Sequence, residues 1–275
     1  MPEHDDRVTI RRGPARRSGG FTARWHTLEA MLEQISVDSW WQALLVGFHR
    51  GPSLEAEALT LVLIIAAAIA LSVPWATWRW FGLYVTFVHE LGHALAALMT
   101  GRVVRGIRLN LNHSGETVSA GRGRGGAAWS GFWGYPAPAV AGAAMIWAAC
   151  SGWAPAALSA GAVLLLVALL FIRNLVGVLI AVGCAVLAQL LVLYTAREFA
   201  AYVVVCLGIA LVVGSVKDWF KVAAVHTRRG RLDSSDAYIL ARSTGVPAGL
   251  WLAGFAVVIG GCSYWSLASL GGAVT

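Results

Sequence analysis

Leu83-Tyr84-Val85-Thr86-Phe87-Val88-His89-Glu90-Leu91-Gly92-His93-Ala94-Leu95-Ala96-Ala97-Leu98-Met99-Thr100 is apolar at nearly every position, yet it carries three ionisable side chains near its middle. A helix needs roughly 20 mostly apolar residues to cross about 30 Å of hydrocarbon; with the few residues before it, this stretch has that length. On a helix His89 and His93, four apart, lie about 40° apart around the axis, so both imidazoles leave one face. That spacing lets two histidines grip a single zinc ion. Glu90, one residue on, sits beside that face and can act as general base on a water there without competing for the metal. Composition alone gives roughly 0.005 chance matches to His-Glu-x-x-His in such a chain. An ionisable group at mid-bilayer costs a few kcal/mol, so three on one span point to function.

The rest of the chain agrees with a membrane setting. Of its 275 residues 58% are hydrophobic and 13% charged, against about 25% charged in soluble domains. Apolar runs predict an all-α polytopic membrane protein with about seven transmembrane helices, at 57–76, 79–100, 127–150, 154–172, 174–194, 198–216 and 247–268. The metal-motif helix is then the second span. With the N-terminus inside, all 21 basic residues except Arg79 and Arg197 fall on one side. The positive-inside rule then predicts a cell-membrane protein with a cytoplasmic N-terminus and an external C-terminus. Gly134, Pro136, Pro138 and Gly142 would break an ordinary helix in 127–150. Irregular backbone at membrane depth survives only against protein or a cavity, so this segment is expected to face the site.

Residues 1–25 read as a basic, disordered cytoplasmic arm, with Arg7, Arg11, Arg12, Arg16, Arg17 and Arg24, able to touch anionic lipid. Residues 26–56 read as an amphipathic interfacial helix with Trp40 and Trp41 at headgroup depth. The membrane domain is 57–275. Cys150, Cys184, Cys206 and Cys262 all lie in apolar runs without Cys-x-x-Cys spacing and read as small buried hydrophobes. The scarcity of Lys (Lys217 and Lys221 only), with abundant Ala, Gly and Val, fits a GC-rich bacterial genome. Partial alternation over 102–111, Gly115 at a turn and Val118 returning predict a small β-hairpin after the motif helix, whose edge could pair with an extended peptide. Gly121-Arg122-Gly123-Arg124-Gly125-Gly126 reads as a flexible basic loop, not a nucleotide cradle, and no nucleic-acid partner is expected.

Two histidines leave a catalytic zinc one protein ligand short. Glu198 falls at the far surface, Asp5 and Asp6 in the arm, His113 in the loop after the motif helix, and Asp218 between Lys217 and Lys221. Asp233 and Asp236 remain, just before the last span, near a short helix starting at Ser234 or Ser235 and stopped by Gly245 and Pro247. Residue physics leaves these two open.

Val85-Thr86-Phe87-Val88-His89-Glu90-Leu91-Gly92-His93-Ala94 with Thr100-Gly101 resembles the site-2 proteases, intramembrane zinc metallopeptidases, and most closely the subfamily-B-like branch of peptidase family M-fifty. Gly134-Tyr135, Pro138-Ala139 with Gly142, Arg173-Asn174 with Gly177, Ser235-Asp236-Ala237 and Thr244-Gly245-Val246-Pro247 extend the resemblance over roughly 85–250. It implies a Zn2+ cofactor, His89 and His93 as metal ligands, Glu90 as catalytic base, and a distant aspartate ligand, by position Asp236. It also implies a membrane-protein or peptide substrate in the lipid bilayer. Asn174 would orient substrate backbone or cap a helix. The chain departs from the better-known members in having no Asp-Gly pair and no Asn in its Pro-rich segment. The rival reading is a non-proteolytic zinc scaffold or a transporter. A scaffold would have no use for Glu90, and repeat symmetry of the transporter kind is not evident.

Overall fold

Most of the computed structural model is helical; it describes residues 41–42, 45, 47–228 and 235–274. The basic arm, most of the expected interfacial helix, and Asp233 lie outside these residues. The unit Leu44–Thr275 is described below. In chain order its helices are α1 (Ala58–Ser72), α2 (Trp75–Met99), α3 (Arg124–Phe132), α4 (Pro136–Cys150), α5 (Ala154–Ala168), α6 (Leu175–Tyr194), α7 (Arg197–Thr227), α8 (Asp236–Thr244) and α9 (Ala248–Gly271). Between α2 and α3 lie strands β1 (Val103–Leu109) and β2 (Gly115–Ala120). Prolines open several helices, as their fixed φ and missing N–H favour: Pro74 caps α2, Pro136 begins α4 and Pro247 caps α9. Gly245, at φ 82°, ends α8 in the left-handed region.

Four helices, α2, α6, α7 and α9, are long and apolar enough to cross a membrane. The expected seven spans are matched only to that extent: α1, α4 and α5 have 15 residues each, short of the roughly 20 a span needs. The 127–150 segment is two helices, broken at Trp133–Tyr135. The expected 154–172 span stops at Ala168, because Phe171 and Arg173 turn aside to pair with β1.

The path of the first helix corrects the expected topology. An alternating seven-span chain would run α1 and α7 in opposite directions. Instead Ile64 packs near Val204 and Val205, Ala68 near Ala210 and Leu211, and Lys217 Nζ donates to the carbonyls of Ser72 (3.0 Å) and Val73 (3.1 Å). The two helices run parallel. Ala56 N–H donates to Ala273 O (3.0 Å) and Gly51 N–H to Gly152 O (2.8 Å), so the start of α1 shares an end of the molecule with the C-terminal residues. Of the basic residues counted ahead of α1, only Arg50 lies within the 15–20 residues over which charge sets orientation. Trp78 stacks under Lys217 and Lys221 (3.9 and 4.6 Å to the ring centroid), which puts neighbouring Arg79 close to two lysines from which the expected topology had separated it.

The hairpin forms as expected: β1 and β2 are antiparallel, from Val103 opposite Ala120 to Leu109 opposite Gly115, with an irregularity between Val104 and Gly106. It folds back along α2, so that His113 in its turn stacks on Trp78. Phe171 and Arg173 bond Ile107 on the far edge of β1. Asn174, at the N-cap position of α6, makes no side-chain cap bond. Its amide instead accepts from Leu109 N–H and donates to Leu109 O, closing the end of that edge. Gly142 of α4 and Gly208 of α7 bring these helices together; a Cβ on either would strike the other's carbonyl oxygen.

Candidate metal centre

One helical turn of α2 presents His89 and His93 side by side, and the first residue of α8, Asp236, meets them. Asp236 Oδ2 lies 3.1 Å from His89 Nε2 and 3.3 Å from His93 Nε2, and the two Nε2 atoms are 3.1 Å apart. Ligands at tetrahedral angles and about 2.0–2.1 Å from zinc are themselves about 3.3 Å apart, so the three atoms already have the spacing of a shared ion. They form the one group of three potential metal ligands among the described residues. Burial alone would raise the Asp236 carboxyl, but the two imidazoles against it outweigh burial and hold it below the ordinary carboxylate range. Its place in the first turn of α8 also suits a negative charge.

The surroundings fit a metal as well. His93 Nδ1 donates to Ser130 O (2.7 Å); a carbonyl can only accept, so this bond leaves the lone pair on Nε2, facing the site. Ser130 Oγ donates in return to His93 O (2.8 Å), tying α3 to α2. Gly134, in the break between α3 and α4, closes over the ligand atoms, and a Cβ there would overlap both imidazoles. The space beside the ligands is thus kept open by the lack of a side chain. Tyr135 meets His89 edge-on, with ring centroids 4.8 Å apart, and its carbonyl accepts from Ser215 Oγ (2.9 Å). His89 and Asp236 each leave 20% of the side chain exposed.

Glu90 is buried under the hairpin. Thr117 Oγ1, on β2, donates to Glu90 Oε2 (2.7 Å) and lies 3.1 Å from Glu90 O. Gly115 packs so closely on the carboxylate that a Cβ would strike it. The candidate base therefore has one oxygen fixed by a hydroxyl and its position set by a glycine.

The structure brings His89, His93 and Asp236 together, with Glu90 beside them on α2 and its carboxylate against the hairpin. The acids and histidine set aside lie elsewhere: Asp218 is paired with Lys221 (2.7 Å), Glu198 opens α7, and His113 sits on Trp78. Ser235 does occupy the N-cap of α8, but without a side-chain cap bond. The four cysteines are free and half-buried. Sequence reasoning missed Thr117 and Ser130, whose partners lie 27 and 37 positions away.

A family model described as Peptidase M50B-like matches residues 61–266. No curated protein and no solved structure matches the chain.

Proposed function

The chain belongs to the Peptidase M50B-like family, and from that premise we propose that it is a zinc metallopeptidase of the cell membrane that hydrolyses peptide bonds of membrane-associated substrates. The observation that carries the reading is the convergence of His89, His93 and Asp236 on one point, with Glu90 adjacent on the same helix. Zinc held by these three would supply a Lewis acid and lower the pKa of a water to about 7. Glu90 would receive the proton of that water, while Thr117 holds its Oε2 and keeps the carboxylate from turning away. Ser130 fixes the His93 ring, and Gly134 leaves room for a substrate carbonyl. The outer edge of β2, unpaired among the described residues, offers backbone groups beside Glu90 to an extended peptide. Asn174 and the 171–173 segment occupy the opposite edge.

The test is cleavage of quenched fluorogenic peptides of about 20 apolar residues by the purified chain in detergent, beside Glu90→Gln. The amide is nearly isosteric and cannot accept the proton, so zinc should stay and cleavage vanish. Undiminished cleavage in that variant would remove Glu90 from the mechanism. A zinc-loaded wild type inert on every peptide would favour a scaffold or transporter.

A further inference from the structure

An apolar cleft of about 680 Å³ opens between α2 and the helices α3 to α7. Trp80, Tyr84, Trp129, Gly161, Cys184 and Leu207 are among its walls, and none of the proposed catalytic or metal-binding side chains is. It is separated from the metal centre where Gly92 packs against Trp133 and Ala137. Trp80, in the wall of the cleft, lies 5.2 Å from the Arg79 guanidinium, and Trp75 lies 5.5 Å from it. Both tryptophans are largely exposed, at 77% for Trp75 and 66% for Trp80. Arg79 forms no ion pair with any carboxylate of the described residues. Lys217 and Lys221 stand on the neighbouring Trp78, so three basic side chains gather near this end of α2.

We propose that the cleft is a binding site for one anionic phospholipid, its phosphate on Arg79 and an acyl chain threaded along the apolar walls. Charge complementarity selects the occupant. A guanidinium with no carboxylate partner among the described residues is matched to phosphate oxygens, exposed tryptophans sit at headgroup depth, and anionic lipids attract basic residues at the cytoplasmic leaflet. Size argues against a peptide. A helix is about 10–12 Å across with a 5.4 Å pitch, so a single turn fills roughly 400–600 Å³ and nearly exhausts the cleft. An extended peptide would leave its backbone groups unsatisfied among apolar walls. An acyl chain has no such groups and is slim enough to enter lengthwise.

Native mass spectrometry of the full chain released from detergent tests this, with phosphatidylglycerol or phosphatidylcholine titrated in. Wild type should retain one phosphatidylglycerol per chain, favoured about fivefold over phosphatidylcholine, the scale of one basic residue at a membrane surface. Arg79→Gln should bring the two lipids level. Gly161→Phe should expel both, because a Cβ at Gly161 meets no atom within 4 Å and the ring can fill the cleft without displacing its walls. Zinc content and monodispersity report whether each variant is folded. Equal retention of the two lipids by wild type, or an unchanged preference in Arg79→Gln, would overturn the headgroup assignment. Unchanged retention in Gly161→Phe would overturn the cleft. So would a polyleucine peptide that binds one per chain and excludes the lipid, which would make the cleft a peptide site.

Discussion

Thr117 and Glu90 are far apart in sequence, and their contact turns a surface hairpin into part of the candidate metal site. The hydroxyl fixes one carboxylate oxygen, so its loss frees Glu90 to rotate without touching the metal ligands. Thr117→Val should therefore keep zinc and KM while kcat falls about ten- to a hundredfold, at or below the lower end of what a positioned acid or base contributes. Thr117→Ser should restore most of it. Steady-state kinetics beside metal analysis separates these, and a loss confined to KM would contradict the assignment. Gly134→Ala should act on the metal instead, because the added methyl enters the space shared by both imidazoles. Its zinc content should drop well below that of wild type while the protein stays monodisperse; full zinc content would show that the break at 133–135 yields. His89, Glu90 and His93 were legible because their spacing itself encodes a shared face. Thr117, Ser130 and Gly134 were not legible in these roles, because common residue types acquire them only when the chain folds back.

α8 brings the third candidate ligand from a short helix between two apolar ones, not from within a span. That placement accounts for the absent Asp-Gly pair: Asp236 needs only to begin a helix that points at α2, with Gly245 and Pro247 fixing where it ends. Asp236→Ala should leave two histidines and strip most of the zinc, whereas Asp233→Ala should keep it, as measured by inductively coupled plasma mass spectrometry on purified chains. The reverse ranking would transfer the ligand to Asp233. Hydropathy located the apolar runs correctly but overestimated several helices. It counts apolar residues and is blind to what ends a helix: Pro74 after α1, the pairing of Phe171 and Arg173 with Ile107 after α5, and the turn at Trp133–Tyr135. The hairpin was legible from alternation, whereas the use of Asn174 to seal its edge depends on an approach across 65 positions.

Across the whole molecule, α1 running parallel to α7 places Gly51, Gly152 and Ala273 at one end and Arg79, Lys217 and Lys221 at the other. The charge pattern was a poor guide to the direction of the first helix, since most of the counted arginines lie too far from it to orient it. Ser53→Cys and Gly272→Cys, each alone in a chain whose four cysteines are replaced by Ala, should react with an impermeant maleimide from the same side of sealed vesicles. Labelling from opposite sides would restore the alternating path. The metal centre remains the feature on which family, fold and chemistry converge, and zinc K-edge X-ray absorption on the purified chain addresses it most directly. The account predicts about one zinc per chain with two imidazole nitrogens and carboxylate or water oxygens at about 2.0–2.2 Å and no sulfur shell. A sulfur shell near 2.3 Å, or zinc retained unchanged after both histidines are replaced, would contradict it.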